Sequence, residues 1–286
     1  LVGLIAGSLL LIAGCDSNGS SSSDDSDDGS SESTVTQLTV NNDNLTTLET
    51  AVNTANLAET LNADDQTFTV FAPVDAAFNS IEVGDLTGDD ALLKKVLKYH
   101  VIKGKKITAS DISDEDTEGT LEGANLEFSV SGNTVKVNGA TVTTADVQAS
   151  NGVVHLIDGV LLENITATER AKVSKVTTTL ESALDVTGRD KTLDDENSTF
   201  TVFAPSDAAF GPYDVNFLVN NTSLLGNVLD YHVVKGSAVT SSNLSNGQTF
   251  KTVNGDDIEV SIDGSNIFVE GAQVTTPDIE TSNAVV

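Results

Sequence analysis

The chain has 286 residues, with 43 Asp and Glu against 14 Lys and Arg, and a net charge of −29. So acidic a chain is repelled by nucleic-acid phosphates, which excludes that partner. One Cys rules out a disulfide framework or a Cys-rich zinc site, and the single long apolar run excludes a multispan membrane protein. That run, residues 1–14, reads LVGLIAGSLLLIAG and carries no charge. It is shorter than the roughly 20 residues a membrane-spanning helix needs and matches the apolar region of a secretory signal. The sequence contains no Met and begins at Leu1, so a processed or truncated start is expected.

Ile12-Ala13-Gly14-Cys15 resembles the bacterial lipobox, an aliphatic residue and two small ones before a Cys that becomes lipidated. Residues 1–15 are therefore expected to be a lipoprotein signal ending at Cys15. Its lipid would hold the protein to a membrane as an anchor rather than a span. The expected location is the cell envelope, at the outer membrane or cell surface rather than the inner membrane. Residues 16–37 are dominated by Ser, Asp and Gly and read as a disordered, charge-extended tether. The first half of a calcium loop is present there (Asp24, Ser26, Asp28, Gly29), but its twelfth position is Val35 where a bidentate Glu is required.

From residue 38 onward the chain is one unit written twice. Phe68-Thr69-Val70-Phe71-Ala72-Pro73-Val74-Asp75-Ala76-Ala77-Phe78 recurs from Phe200 to Phe210 with one change, Val74 to Ser206, at an offset of 132 residues. Phe203, Pro205 and Asp207 thus repeat Phe71, Pro73 and Asp75. The same offset links Tyr99-His100 to Tyr231-His232 and Ser150-Asn151 to Ser282-Asn283. So long a period indicates two tandem domains, residues 38–164 and 170–286, each with its own core. The second copy stops at Val286, the partner of Val154, so its last strand is expected to be absent.

Leu45, Leu48, Ala51, Val52 and Ala55 have helical spacing, and Phe68 to Phe71 is a short apolar strand ended by Pro73. Asp75 precedes Ala76-Ala77-Phe78 as an N-cap. Leu92, Leu93, Val96 and Leu97 form a helical face leading to Tyr99-His100. Leu126, Phe128 and Val130 alternate, Ser131-Gly132-Asn133 turns, and Val135 and Val137 alternate again, predicting a hairpin. Helices dominate the first half of each unit and strands the second, so the class is α+β.

These motifs resemble the fasciclin-like domain. Thr69-Val70-Phe71-Ala72-Pro73 with Asp75 to Phe78 looks like its first signature, Tyr99-His100 its central pair, and Asn151-Gly152-Val153-Val154-His155-Leu156-Ile157-Asp158 its second signature. The second copy departs from it with Ala284 where the first has Gly152. The resemblance implies two tandem wedges of about seven strands with packed helices. It also implies a role in adhesion to cells, matrix proteins or polysaccharide. In animal relatives the Tyr-His pair, and an Asp-Ile motif before the second signature, are linked to integrin contact. Here Tyr99, His100, Asp146, Val147, Tyr231, His232, Asp278 and Ile279 become the candidate adhesive contacts.

No phosphate loop, nucleophile elbow or dinucleotide fingerprint is present, and the three His residues have no short metal-ligand spacing. His100, His155 and His232 read as structural, with Asp75 expected to pair with His100 and Asp207 with His232. No carboxylate pair is singled out for glycosidase chemistry. The chain is expected to be no enzyme and to need no cofactor or built metal site. The acidic surface leaves room for weak binding of divalent cations. The leading expectation is a surface-anchored adhesion protein, and the alternative is a non-catalytic polysaccharide- or ligand-binding accessory module.

Overall fold

The computed structural model describes residues 33–63 and 65–286. The expected signal, Cys15 and tether residues 16–32 lie outside the described residues. Order begins earlier than the composition suggests. Helix α1 (Val35–Val40) is N-capped by Thr34 in a reciprocal capping box with Gln37, and Val35 is buried. The tether boundary at Gln37 is therefore corrected. The Thr-x-x-Gln signature turns residues 34–37 into a helix start although Ser and Asp surround them.

Domain 1 continues with α2 (Thr46–Thr54), α3 (Ala58–Leu61), β1 (Phe68–Pro73), a 3-10 turn (Asp75–Ser80), α4 (Val83–Gly88), α5 (Asp90–Tyr99) and β2 (Val101–Lys103). The strands β3 (Thr117–Gly119), β4 (Asn125–Ser131), β5 (Thr134–Val137), β6 (Ala140–Ala149) and β7 (Gly152–Ile157) complete it. One seven-stranded sheet runs β2-β1-β7-β6-β5-β4-β3. Only β1 and β7 pair in parallel. Both are buried at every residue, as a pair covered on two faces requires. A Cβ on Gly152 would meet the Phe68 carbonyl oxygen at 2.1 Å, so this close approach needs Gly.

The core lies on both faces of that sheet. Leu48, Phe68, Leu93 and Val96 join the helices to it, while Phe71, Tyr99, Ile102, Leu126, Phe128 and Ile157 fill the hairpin side.

Domain 2 repeats the order with α6 (Ala167–Lys172), α7 (Thr178–Thr187), α8 (Asp190–Leu193), β8 (Phe200–Val202), α9 (Asp207–Phe210), α10 (Val215–Asn220) and α11 (Thr222–Tyr231). Then come β9 (Val233–Lys235), β10 (Gln248–Lys251), β11 (Asp257–Asp263), β12 (Asn266–Val269), β13 (Ala272–Gln273) and β14 (Ala284–Val285). Its strands form two sheets, β10-β11-β12-β13 and β14-β8-β9. The ten-residue β6 that unites domain 1 has only the two residues of β13 as its paired counterpart. Pro277 stands there in place of Ala145, which lies in the irregular stretch of β6 between Thr144 and Val147. The last strand, expected to be absent, is present as the two residues of β14, which pair in parallel with β8.

The second domain also starts earlier than residue 170. Thr166 caps α6 in a capping box with Glu169, repeating Thr34 and Gln37 at the 132-residue offset. This helix serves both domains. Lys95 of α5 reaches Glu169 at 3.2 Å and Lys172 reaches Asp89 at 2.9 Å. Val173 is fully buried within the core of domain 1. The Glu82 N–H donates to the Val173 carbonyl at 2.8 Å.

Candidate interaction site

The Tyr99-His100 pair is interior. Tyr99 is 2% exposed at the end of α5. Its hydroxyl donates to the Asn125 carbonyl at 2.9 Å and accepts from Asn138 Nδ2 at 2.6 Å. Asn138 also donates to Glu163 at 3.0 Å and accepts from the Glu127 N–H at 2.7 Å. The helix end, the hairpin and the segment after β7 thus meet at one amide, held at a φ of 44°. Burial, and then the Glu163 carboxylate, push the Tyr99 phenol well above its ordinary pKa.

His100 is 3% exposed. Its Nδ1 lies 2.8 Å from the Val96 carbonyl, and Nε2 accepts from the Leu161 N–H at 3.0 Å. A ring that donates at one nitrogen and accepts at the other is neutral. Burial pushes the imidazole down to about 4, against the opposing effect of the Val96 hydrogen bond.

The expected Asp75–His100 pair does not form. Asp75 accepts instead from the Thr47 N–H and the Thr46 hydroxyl, both at 2.8 Å. It caps α2, 28 residues earlier, rather than the turn it opens. Burial alone would raise its pKa, but the bonds from Thr47 and Thr46 outweigh burial and leave the carboxyl below its usual value. Asp207 does the same for α7 through the Thr179 N–H at 2.7 Å and the Thr178 hydroxyl at 3.0 Å, while His232 Nδ1 faces the Val228 carbonyl at 2.7 Å. Both proposed pairs are corrected for one reason: each carboxylate is taken up by the orphan N–H groups at a helix start.

NMR titration is expected to show the His100 ring neutral down to about pH 4 and unmoved by Asp75→Asn. The sign follows from the depressed value. Between pH 6.5 and about 4 the unfolded chain binds the extra proton. The ring's contribution is complete above pH 6.5 and is lost as pH falls through that window. The loss is up to about 1.4 kcal/mol per pH unit.

The Asp-Ile-type positions also hold the backbone. Asp146 sits in the irregular part of β6 at a φ of 61°, and its carboxylate accepts from the Ala109 N–H at 2.8 Å. Its own N–H donates to His155 Nδ1 at 3.3 Å, and His155 Nε2 lies 2.8 Å from the Ile107 carbonyl. His155 is fully buried and stacked on Phe71 at 5.3 Å. Asp278 repeats this at a φ of 62°, accepting from the Ser241 N–H at 2.6 Å. Val147 packs against the core, and Ile279 exchanges backbone bonds with Val286.

The motif residues Phe71, Pro73 and Phe78 are buried, as is Phe210, while Phe203, Pro205, Tyr231 and His232 are half-buried. Of the candidate contacts in domain 1, Tyr99 and His100 offer no free surface. Asp146 alone keeps a side chain substantially in solvent, 41% exposed.

Two functional-looking elements were not singled out from sequence. Asn151 accepts from the Val35 N–H at 2.9 Å and donates to the Leu61 carbonyl at 2.7 Å; Asn283 does the same with Ala167 and Leu193. Thr69, fully buried, donates to the Lys105 carbonyl and accepts from the Ile107 N–H, each at 2.9 Å. The 132-residue recurrence of both residues was the available signal.

A groove of about 250 Å³ in domain 2 is lined by residues such as Phe210, Val215, Leu218, Leu225, Thr178 and Ser182 and holds no titratable side chain. Among the described residues no group of three or more His, Cys, Asp or Glu is placed to hold a metal ion, and no helix is long and apolar enough to cross a membrane.

The fasciclin domain model matches residues 43–163 and 175–286. The chain belongs to the fasciclin-domain family. Protein sll1483 of Synechocystis sp. is 42% identical over 134 residues, covering 45% of this chain and 73% of that protein. Stabilin-2 of Rattus norvegicus is 31% identical over 216 residues, covering 68% of this chain and 15% of that protein. Transforming growth factor-beta-induced protein ig-h3 of Sus scrofa is 41% identical over 118 residues, covering 40% of this chain and 17% of that protein. A solved FAS1 domain pair from the insect cell adhesion molecule fasciclin I aligns over 87% of this chain and 92% of that one, at a TM-score of 0.41 and 18% identity. Fasciclin domains occur in cell-adhesion proteins, which supports an adhesion-type role in general terms.

Proposed function

We propose that this fasciclin-domain chain is a surface-anchored adhesion protein. Lipid on Cys15 holds it to the cell envelope, an acidic tether spaces it outward, and two domains attach the cell to other cells, matrix protein or polysaccharide without catalysis. The observation that carries this reading is how the motif side chains are used. Tyr99, His100, Asp75 and His155 are all committed to internal hydrogen bonds. What remains for recognition is exposed surface on two rigid copies, a design that suits weak contacts multiplied by effective concentration. Binding of polysaccharide as an accessory module is the second reading, favoured by the exposed lysines of residues 103–106.

Beads carrying the chain from Ser17 onward are expected to clump with partner cells or polysaccharide-coated beads and not with bare beads. Absence of clumping with every surface, together with saturable binding of one soluble glycan, would replace adhesion by the accessory-module reading.

A further inference from the structure

We propose that residues 103–107 of domain 1 form a recognition loop for acidic polysaccharide, a carboxylate-bearing sugar polymer. The inference deepens the attachment reading above and rests on it.

Lys103, Lys105 and Lys106 stand within four positions and are all exposed, on a chain of net charge −29. Lys105 pairs with Glu118, whereas among the described residues Lys103 and Lys106 have no carboxylate partner. The loop beneath them is rigid. Gly104, at a φ of 84°, donates its N–H to the Thr67 carbonyl at 2.7 Å. Buried Thr69 grips the backbone on both sides of Lys106, and buried His155 holds the Ile107 carbonyl. Cations displayed on a fixed backbone lose little conformational freedom on binding.

Domain 2 keeps the scaffold and changes the display. Thr201 donates to the Ser237 carbonyl at 2.8 Å and accepts from the Val239 N–H at 3.0 Å, and the Gly236 N–H donates to the Thr199 carbonyl at 2.7 Å. Yet Ser237 and Ala238 stand where domain 1 has Lys105 and Lys106. A conformation held constant under a changing set of side chains is the geometry of a recognition loop.

The partner must be an anion the rest of the molecule tolerates. Nucleic acid, with a charge every 1.7 Å or so, meets too much repulsion from the acidic surface. A polyuronate spaces its carboxylates by whole sugar rings and offers hydroxyls between them. It can engage Lys103 and Lys106 while Glu118 accepts from sugar hydroxyls.

The test is electrophoresis of the intact two-domain chain through gels containing alginate, dextran or neither. Alginate is expected to retard the protein, more at low than at high salt, while neutral dextran does not. Lys103→Ala, Lys105→Ala and Lys106→Ala together are expected to cut retention about tenfold, with an unchanged circular dichroism spectrum. Ser237→Lys with Ala238→Lys is expected to increase it. Equal retention of the triple variant, or equal retardation by dextran, overturns the proposal and leaves the lysines as guards of the exposed β2 edge. Bead clumping that persists without alginate retention overturns this inference while leaving adhesion standing; loss of clumping overturns adhesion itself.

Discussion

Tyr99→Ala is expected to destabilise domain 1 by about 3–5 kcal/mol, the cost of removing a large aromatic ring from a core. The side chain is 2% exposed and packs with Phe71, Leu126, Phe128 and Ile157. Truncation also strands the Asn125 carbonyl, which loses its donor, and leaves Asn138 Nδ2 with Glu163 alone. Tyr99→Phe keeps the ring and removes only the hydroxyl, so its expected cost is about 1–3 kcal/mol. Urea unfolding followed by circular dichroism checks both. The pair separates architecture from contact. Attachment lost in Tyr99→Ala but kept per folded molecule in Tyr99→Phe marks the ring as core. A Tyr99→Phe protein of unchanged stability that no longer attaches would restore the pair as a contact.

Asn151→Ala is expected to cost about 3 kcal/mol, because it strands a buried donor and a buried acceptor at about 1–3 kcal/mol each. The side chain ties the start of α1 to the end of α3 at the entrance of β7, beside the Thr34–Asn62 and Ser150–Ser33 hydrogen bonds. Hydrogen exchange gives the specific readout: the Val35 N–H is expected to lose protection before the β1 amides do. Asn283→Ala should loosen α6 in the same way, and since α6 bridges the domains through Lys172 and Asp89, coupling between them should weaken too.

Much of this architecture was legible in the residues. The repeat offset fixed the two-domain plan, and the apolar run from Phe68 to Phe71 located the buried central strand. The spacing of Leu92, Val96 and Tyr99 was also sufficient to bury the tyrosine, since positions i, i+4 and i+7 share one helix face. The family resemblance points to the same pair as a contact, and the Tyr99→Phe comparison decides between the two.

Other features had no local signal. The reading of Asp75 as the cap of the turn it opens is corrected: it caps α2, 28 residues earlier, a distance that no capping pattern spans. The helix starts at Thr34 and Thr166 did have a pattern, Thr-x-x-Gln and Thr-x-x-Glu, concealed by the polar composition around the first and the expected linker around the second. The split of the domain 2 sheet, where β13 keeps only two residues against the ten of β6, has no such pattern in the residues. Of the candidate site, the structural motif residues were legible, but the lysine loop was not. Its meaning depends on Thr69 and His155, which hold it from distant strands.

Surface-anchored attachment is tested most directly by counting cells that adhere to a partner layer. Cells displaying the full chain are compared with cells expressing Cys15→Ser and with cells lacking the chain. The predicted result is adhesion by the first alone, with the Cys15→Ser chain recovered in the medium. Equal adhesion of all three, or full adhesion of the Cys15→Ser cells with the chain released, would contradict it.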